Sequence, residues 1–102
     1  MAEVDVSFHP AARQEYLDAL RSYMLISERV ARRFQENLVR SVDLIAEGPE
    51  RWPLFDDPIR FVRLRRFPYV LYYESTSETT VQILAVAHSR RRPGYWADRR
   101  DH

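Results

Sequence analysis

The residues of this chain best suited to chemistry fall in one run, His88-Ser89-Arg90-Arg91-Arg92-Pro93-Gly94-Tyr95-Trp96. It sets a titratable imidazole, three guanidinium groups and a phenol within a few positions of one another. RNA cleavage by attack of a 2′-hydroxyl needs a base, an acid and positive charge around a phosphorane-like transition state, and His88, Tyr95 and Arg90 carry the right groups. Arg63, Arg65 and Arg66 form a second cluster, whose guanidinium forks suit phosphate or carboxylate. The same run also reads as an arginine-rich edge that binds acidic peptide or nothing, with His88 hydrogen-bonded and Tyr95 and Trp96 packed on a sheet. Tyr69, Tyr72 and Tyr73 carry faces on which bases stack, but their place in a strand interior points to the core.

The elements that must position these side chains follow from periodicity. Residues 4–8 alternate apolar and polar, the period of a strand with one buried face. Pro10 suits the first turn of a helix, and Tyr16, Leu17, Leu20, Tyr23 and Met24 recur at helical spacing, which predicts a helix over residues 10–24. Ser27 is an N-cap for a second helix over residues 27–47, with Glu28 at the positive end of its dipole and Gly48-Pro49 as its stop. Val30, Phe34, Leu38, Val42 and Ile45 form its apolar stripe. Residues 48–58 hold three prolines with Trp52, Leu54 and Phe55 and read as an ordered loop packed on the core.

Beyond it the pattern is β. Val62 and Leu64 face one side of a strand, with Arg63 and Arg65 on the other. Residues 69–73 are rich in strand formers, and residues 81–88 form the most apolar strand, hence a central one. The expected fold is α+β, a β-α-α-β-β-β two-layer sandwich with both helices on one face of a four-stranded sheet. Its second face needs a ligand, a partner or a long loop to cover it.

Composition bounds the chemistry. The 102 residues include no cysteine, two glycines and six prolines, and 45% are apolar, so a single domain over residues 1–102 with its own core is expected, ending in an arginine-rich tail over 89–102. Disulfides and thiolate zinc sites are excluded. His9, His88 and His102 stand far apart in sequence, which argues against a metal site, and the two glycines belong to no phosphate-cradling loop. No cofactor is expected. No run reaches the roughly 18 apolar residues of a membrane span. The opening Met-Ala-Glu-Val-Asp lacks the features of a signal peptide, so a cytoplasmic location is expected.

All 16 basic residues are arginine. A GC-rich genome that writes arginine in place of lysine is the expected reason for most of the missing lysine. Their distribution is uneven: residues 1–50 hold 6 Arg against 9 acidic residues (−3), and residues 51–102 hold 10 against 6 (+4), which sum to the net +1.

Two blocks resemble the RelE/ParE superfamily of toxins from bacterial type II toxin–antitoxin modules. They are Arg65-Arg66-Phe67-Pro68-Tyr69 with Tyr72-Tyr73, and Leu84-Ala85-Val86-Ala87-His88-Ser89-Arg90-Arg91-Arg92-Pro93-Gly94-Tyr95-Trp96. The opening Val6-Ser7-Phe8-His9-Pro10-Ala11-Ala12 extends the likeness over most of the chain, and the ending lies closer to ParE-like members. The resemblance implies a toxin neutralised by a cognate antitoxin whose acidic, amphipathic segment wraps it. Its target would be DNA gyrase, or the ribosome and its mRNA. In the second case the chain would be a metal-independent endoribonuclease of RelE type, with His88, Arg90, Tyr95 and Arg65 as catalytic residues. Arg63, Arg66, Arg91, Arg92 and Trp96 would bind nucleic acid or target. The chain departs from RelE-like members in having no lysine, and His88 does not separate the two branches. The alternative is a non-catalytic binding module, either an inactive toxin fold or a nucleic-acid-binding α+β domain.

Overall fold

A computed structural model describes residues 3–100. The chain runs β1 (Asp5–Phe8), α1 (Pro10–Ile26), α2 (Glu28–Glu47), β2 (Leu54–Asp56), β3 (Ile59–Arg63), β4 (Tyr69–Ser75) and β5 (Thr80–His88), with short 3-10 turns at Pro49–Arg51 and Ala97–Arg99. The strands form one sheet in the order β1-β5-β4-β3-β2, parallel only between β1 and β5. The fold is α+β with both helices on one face, as the pattern predicts, but the sheet has five strands. The additional strand, β2, lies in the proline-rich loop, where a three-residue edge carries too little alternation to be read from sequence. Tyr73 and Arg60 pin that loop by donating to the carbonyls of Pro49 and Trp52.

Local chemistry sets the helix ends. His9 caps α1 by accepting the Ala11 N–H on Nδ1 at 3.0 Å, and Pro10 occupies the first turn. Ser27 ends α1 and begins α2 at a single extended residue: its N–H donates to the Tyr23 carbonyl while its Oγ accepts the Val30 N–H. Helix α2 buries Phe34, Leu38 and Ile45. In α1 the core-facing residues are Ala12, Tyr16, Ala19, Leu20 and Tyr23, whereas Leu17 and Met24, expected on the apolar stripe, lie exposed beside Leu25 and Ile26. Ala12 and Ala19 are the buried residues of α1, so small side chains stand where the helix meets the core.

The second face of the sheet is covered by the chain itself. Past β5, residues 89–100 turn back and set Trp96 against Ile59, Val70, Tyr72, Leu84, Ala85 and Ala87, with Phe55 edge-on to Tyr72 and Trp96. A bulge makes room for this. Tyr72 pairs with Ala85 and Tyr73 with Ile83, so Leu84 is the extra residue of β5, and both Leu84 and Ala85 join the second-face core.

Strand β3 ends at Arg63, before Leu64 and Arg65, which were expected in it. The Leu64 N–H donates to the Tyr69 carbonyl, and Arg66 takes a left-handed φ of 68°, so residues 64–68 form a tight connection to β4. Tyr72 and Tyr73 are buried and Tyr69 is half-buried, each packed in a core layer.

Candidate functional site

The strongest polar organisation centres on Glu15, a residue the sequence reading does not single out. Strand β5 runs past the end of β1, whose last paired residue, Phe8, faces Ile83, so the next backbone groups of β5 need other partners. Glu15 on α1 accepts the Val86 N–H at 3.1 Å, and Arg99 donates to the Leu84 carbonyl at 3.1 Å. Arg99 also grips both Glu15 oxygens, at 2.9 and 3.0 Å. Arg91 reaches the same carboxylate at 3.2 Å, and the Tyr95 hydroxyl donates to it at 2.7 Å. One largely buried carboxylate thus accepts from one backbone and three side-chain partners and ties α1, β5 and the C-terminal arm together. Nearby, Arg100 donates to buried Glu74 at 2.8 Å.

This arrangement fixes Tyr95 in the structure. Its ring lies beneath Arg91, whose Cζ is 3.5 Å from the centroid, with Arg99 at 5.1 Å. Burial pushes its phenol well above the ordinary range; the hydrogen bond to Glu15 and that carboxylate's charge add to the rise, against the opposing effect of the two arginines. The proton is held by a neighbour rather than offered to a ligand.

His88 sits half-buried at the end of β5. Its Nδ1 accepts the Arg90 N–H at 3.1 Å, which leaves Nε2 as the proton-bearing nitrogen of the neutral ring. The ring packs edge-on to Tyr69 at 5.3 Å. With Asp18, Ser22, Tyr69 and Arg91 it lines an open cleft of about 230 Å³ against α1. Glu15 lines the same cleft, so His88 stands there beside a guanidinium already paired with a carboxylate.

The other predicted residues are dispersed. Arg65 and Arg66 line a different groove, of about 540 Å³, with Val30, Arg33, Glu36, Asn37 and Phe67, and this groove shares no lining residue with the His88 cleft. Arg63 extends over the Phe61 ring at 5.6 Å on the second face. Arg90 and Arg92 are exposed, while Trp96, expected to contact the target, is 2% exposed in the core. The fold therefore brings His88 and Arg91 into one cleft and links Arg91 to Tyr95 through Glu15, but places Arg65 elsewhere. Among the described residues no group of three His, Asp or Glu side chains could hold a metal ion, and no helix is long and apolar enough to cross a membrane. His102 lies outside the described residues.

Glu15 and Arg99 carry one readable signal. Ala12, Glu15 and Ala19 share a helical face, so a carboxylate stands on the stripe that meets the sheet and requires a cation there.

The family model for the ParE toxin of type II toxin–antitoxin systems, parDE, matches residues 6–93. Among solved structures, the chromosomal ParDE TA system from P. aeruginosa is similar, with a TM-score of 0.67 at 15% sequence identity over 84% of this chain and 96% of that one. At that identity the likeness is one of fold. Comparison with curated proteins yields no match.

Proposed function

Because this chain belongs to the ParE toxin family of type II toxin–antitoxin systems, we propose that it restrains bacterial growth by acting on DNA gyrase and is neutralised by a cognate antitoxin encoded beside it. The family match over residues 6–93 carries this reading. The similar ParDE structure supports the antitoxin partner. The geometry favours a target-binding toxin over a ribonuclease: Tyr95, the candidate acid, spends its proton on Glu15, and Arg65 opens onto a groove separate from His88. Ribosome-dependent mRNA cleavage remains the second reading, because His88 and Arg91 share one open cleft.

Expression of the chain with and without the neighbouring small reading frame tests the module. Growth arrest relieved by the neighbour is the expected result, and normal growth at confirmed soluble expression of the chain alone would reject it. A gyrase supercoiling assay run beside primer extension on translated mRNA separates the targets. Inhibited supercoiling with intact transcripts supports gyrase. Transcript cleavage abolished by His88→Ala, Arg90→Ala and Tyr95→Phe would establish the ribonuclease instead.

A further inference from the structure

The end of α1 carries apolar side chains that the rest of the chain leaves uncovered. Met24 is 57% exposed, Leu25 85% and Ile26 79%, and Leu17, two turns earlier, is 38% exposed. Scattered singly such residues are ordinary, but gathered along one helix they mark an interaction surface. They are also arranged. Leu17, Leu20, Arg21 and Met24 stand at i, i+3, i+4 and i+7, the four positions that frame a hole in knobs-into-holes packing, and with Leu25 they line an open groove of about 510 Å³. The hole fits a side chain from a second helix.

The charged residues between positions 17 and 29, Asp18, Arg21, Glu28 and Arg29, are exposed and balance to zero, and none of the ion pairs among the described residues involves them. A border without net charge gives no attraction to an anionic membrane or to nucleic acid. It does suit a surface that meets its own copy, because in a two-fold pair each contact of residue i with residue j is repeated as j with i, and both signs must be present. We infer that α1 is a pairing surface for a second copy of this chain: the two first helices lie antiparallel, each seats Met24 in the hole of the other, and Leu25 packs beside the aliphatic stem of Arg21 from the other copy.

That register also sets the charges. A helical side chain leans toward the N-terminus of its own helix, so Arg21 runs back over the turn at Leu17. In the antiparallel pair this turn lies opposite the corner of the other copy, where Glu28 opens α2 directly after Ser27. Arg21 of each copy thus faces Glu28 of the other, twice by symmetry. The groove shares no lining residue with the His88 cleft or with the groove at Arg65 and Arg66, so both stay open in the pair. One helix face of this length covers less than the roughly 800 Å² per partner of a standard interface, so the pair forms and separates reversibly.

The test is sedimentation equilibrium of the purified full chain at concentrations from about 1 μM to about 1 mM. The expected result is a mass that rises from one copy to two and stops there, with a dissociation constant on the order of 10–100 μM. Met24→Glu/Leu25→Glu should weaken pairing by about tenfold or more. Both side chains are exposed, so the variant keeps its fold, which circular dichroism checks. Arg21→Glu sets glutamates face to face and should weaken pairing as well, and adding Glu28→Arg should restore it. Arg21 and Glu28 form no ion pair within one chain, so the rescue reads a contact between copies. A single-copy mass over the whole range, assembly beyond two copies, pairing untouched by Met24→Glu/Leu25→Glu, or no rescue by the charge swap would each overturn the proposal. Co-sedimentation with phosphatidylglycerol vesicles that is lost in Met24→Glu/Leu25→Glu would also overturn it, by assigning the patch to a membrane. Growth is not the readout, so pairing stands or falls apart from the toxin reading.

Discussion

Arg99 and Arg65 both follow strands in an arginine-rich part of the chain, and the fold treats them in opposite ways. Arg99 is 16% exposed at its side chain, holds both oxygens of Glu15 and also satisfies a β5 carbonyl. Arg65 is exposed, and only its backbone is bonded, to Asn37. One arginine region is thus consumed by the architecture and the other is held open by it. The difference arises from what each meets: the C-terminal arm folds onto the part of β5 beyond β1, where a buried carboxylate needs cations, whereas Arg65 meets only the Asn37 amide of α2, through its backbone. Arginine serves both ends because its planar fork suits bidentate pairing in a partly buried site and remains charged in water.

The contrast breaks first at Glu15. Glu15→Ala leaves Arg99 buried beside an unfilled acceptor position and frees the arm, and should lower the unfolding free energy by about 3–5 kcal/mol in urea denaturation. A loss below about 1 kcal/mol would mean that the arm is held by Trp96 alone. Next comes the direct pair: Arg99→Ala should cost about 2–3 kcal/mol and Arg65→Ala less than about 0.5 kcal/mol in the same measurement. Equal costs would erase the distinction.

High pH tests the arm from another side. The Tyr95 phenol is raised by burial and by Glu15, and burial raises Tyr73 to about 12 against the opposing charge of Arg60. Both folded values exceed the unfolded value of 10.0, so the unfolded state releases protons first and stability falls as pH rises above 10. Below pH 10 both states keep these protons and the two groups contribute no slope. Each of the two tyrosines contributes at most the roughly 1.4 kcal/mol per pH unit of a full proton. Tyr95→Phe should flatten it, which unfolding curves at successive pH values would show. One substitution should bring a gain: Arg66→Gly relieves the left-handed backbone and should raise stability by less than about 1 kcal/mol, read as a higher melting temperature. A clear loss would show that the Arg66 side chain contributes to the turn.

Much of the fold was legible because its signals are local. Pro10, Ser27 and Gly48 mark helix boundaries through backbone geometry and capping, and the alternation of Val4, Val6 and Phe8 needs no distant partner to be read. Strand β2 escaped because three exposed residues carry no period, and the outward turn of Leu17 and Met24 escaped because apolar spacing does not reveal how closely a helix approaches its sheet. The candidate site was legible only as a set of residue types. His88 and Arg91 do share a cleft, but Trp96 went to the core and Arg65 to another groove.

Residue order by itself determined the helices, the main strands, the α+β class and the concentration of positive charge in the second half. The tertiary structure decided which charges are spent. Glu15 and the Val86 N–H stand 71 positions apart, and their meeting depends on the length of β1, the bulge at Leu84 and the return of the arm. Each is a matter of packing and register, and neither residue carries that information in its own neighbourhood.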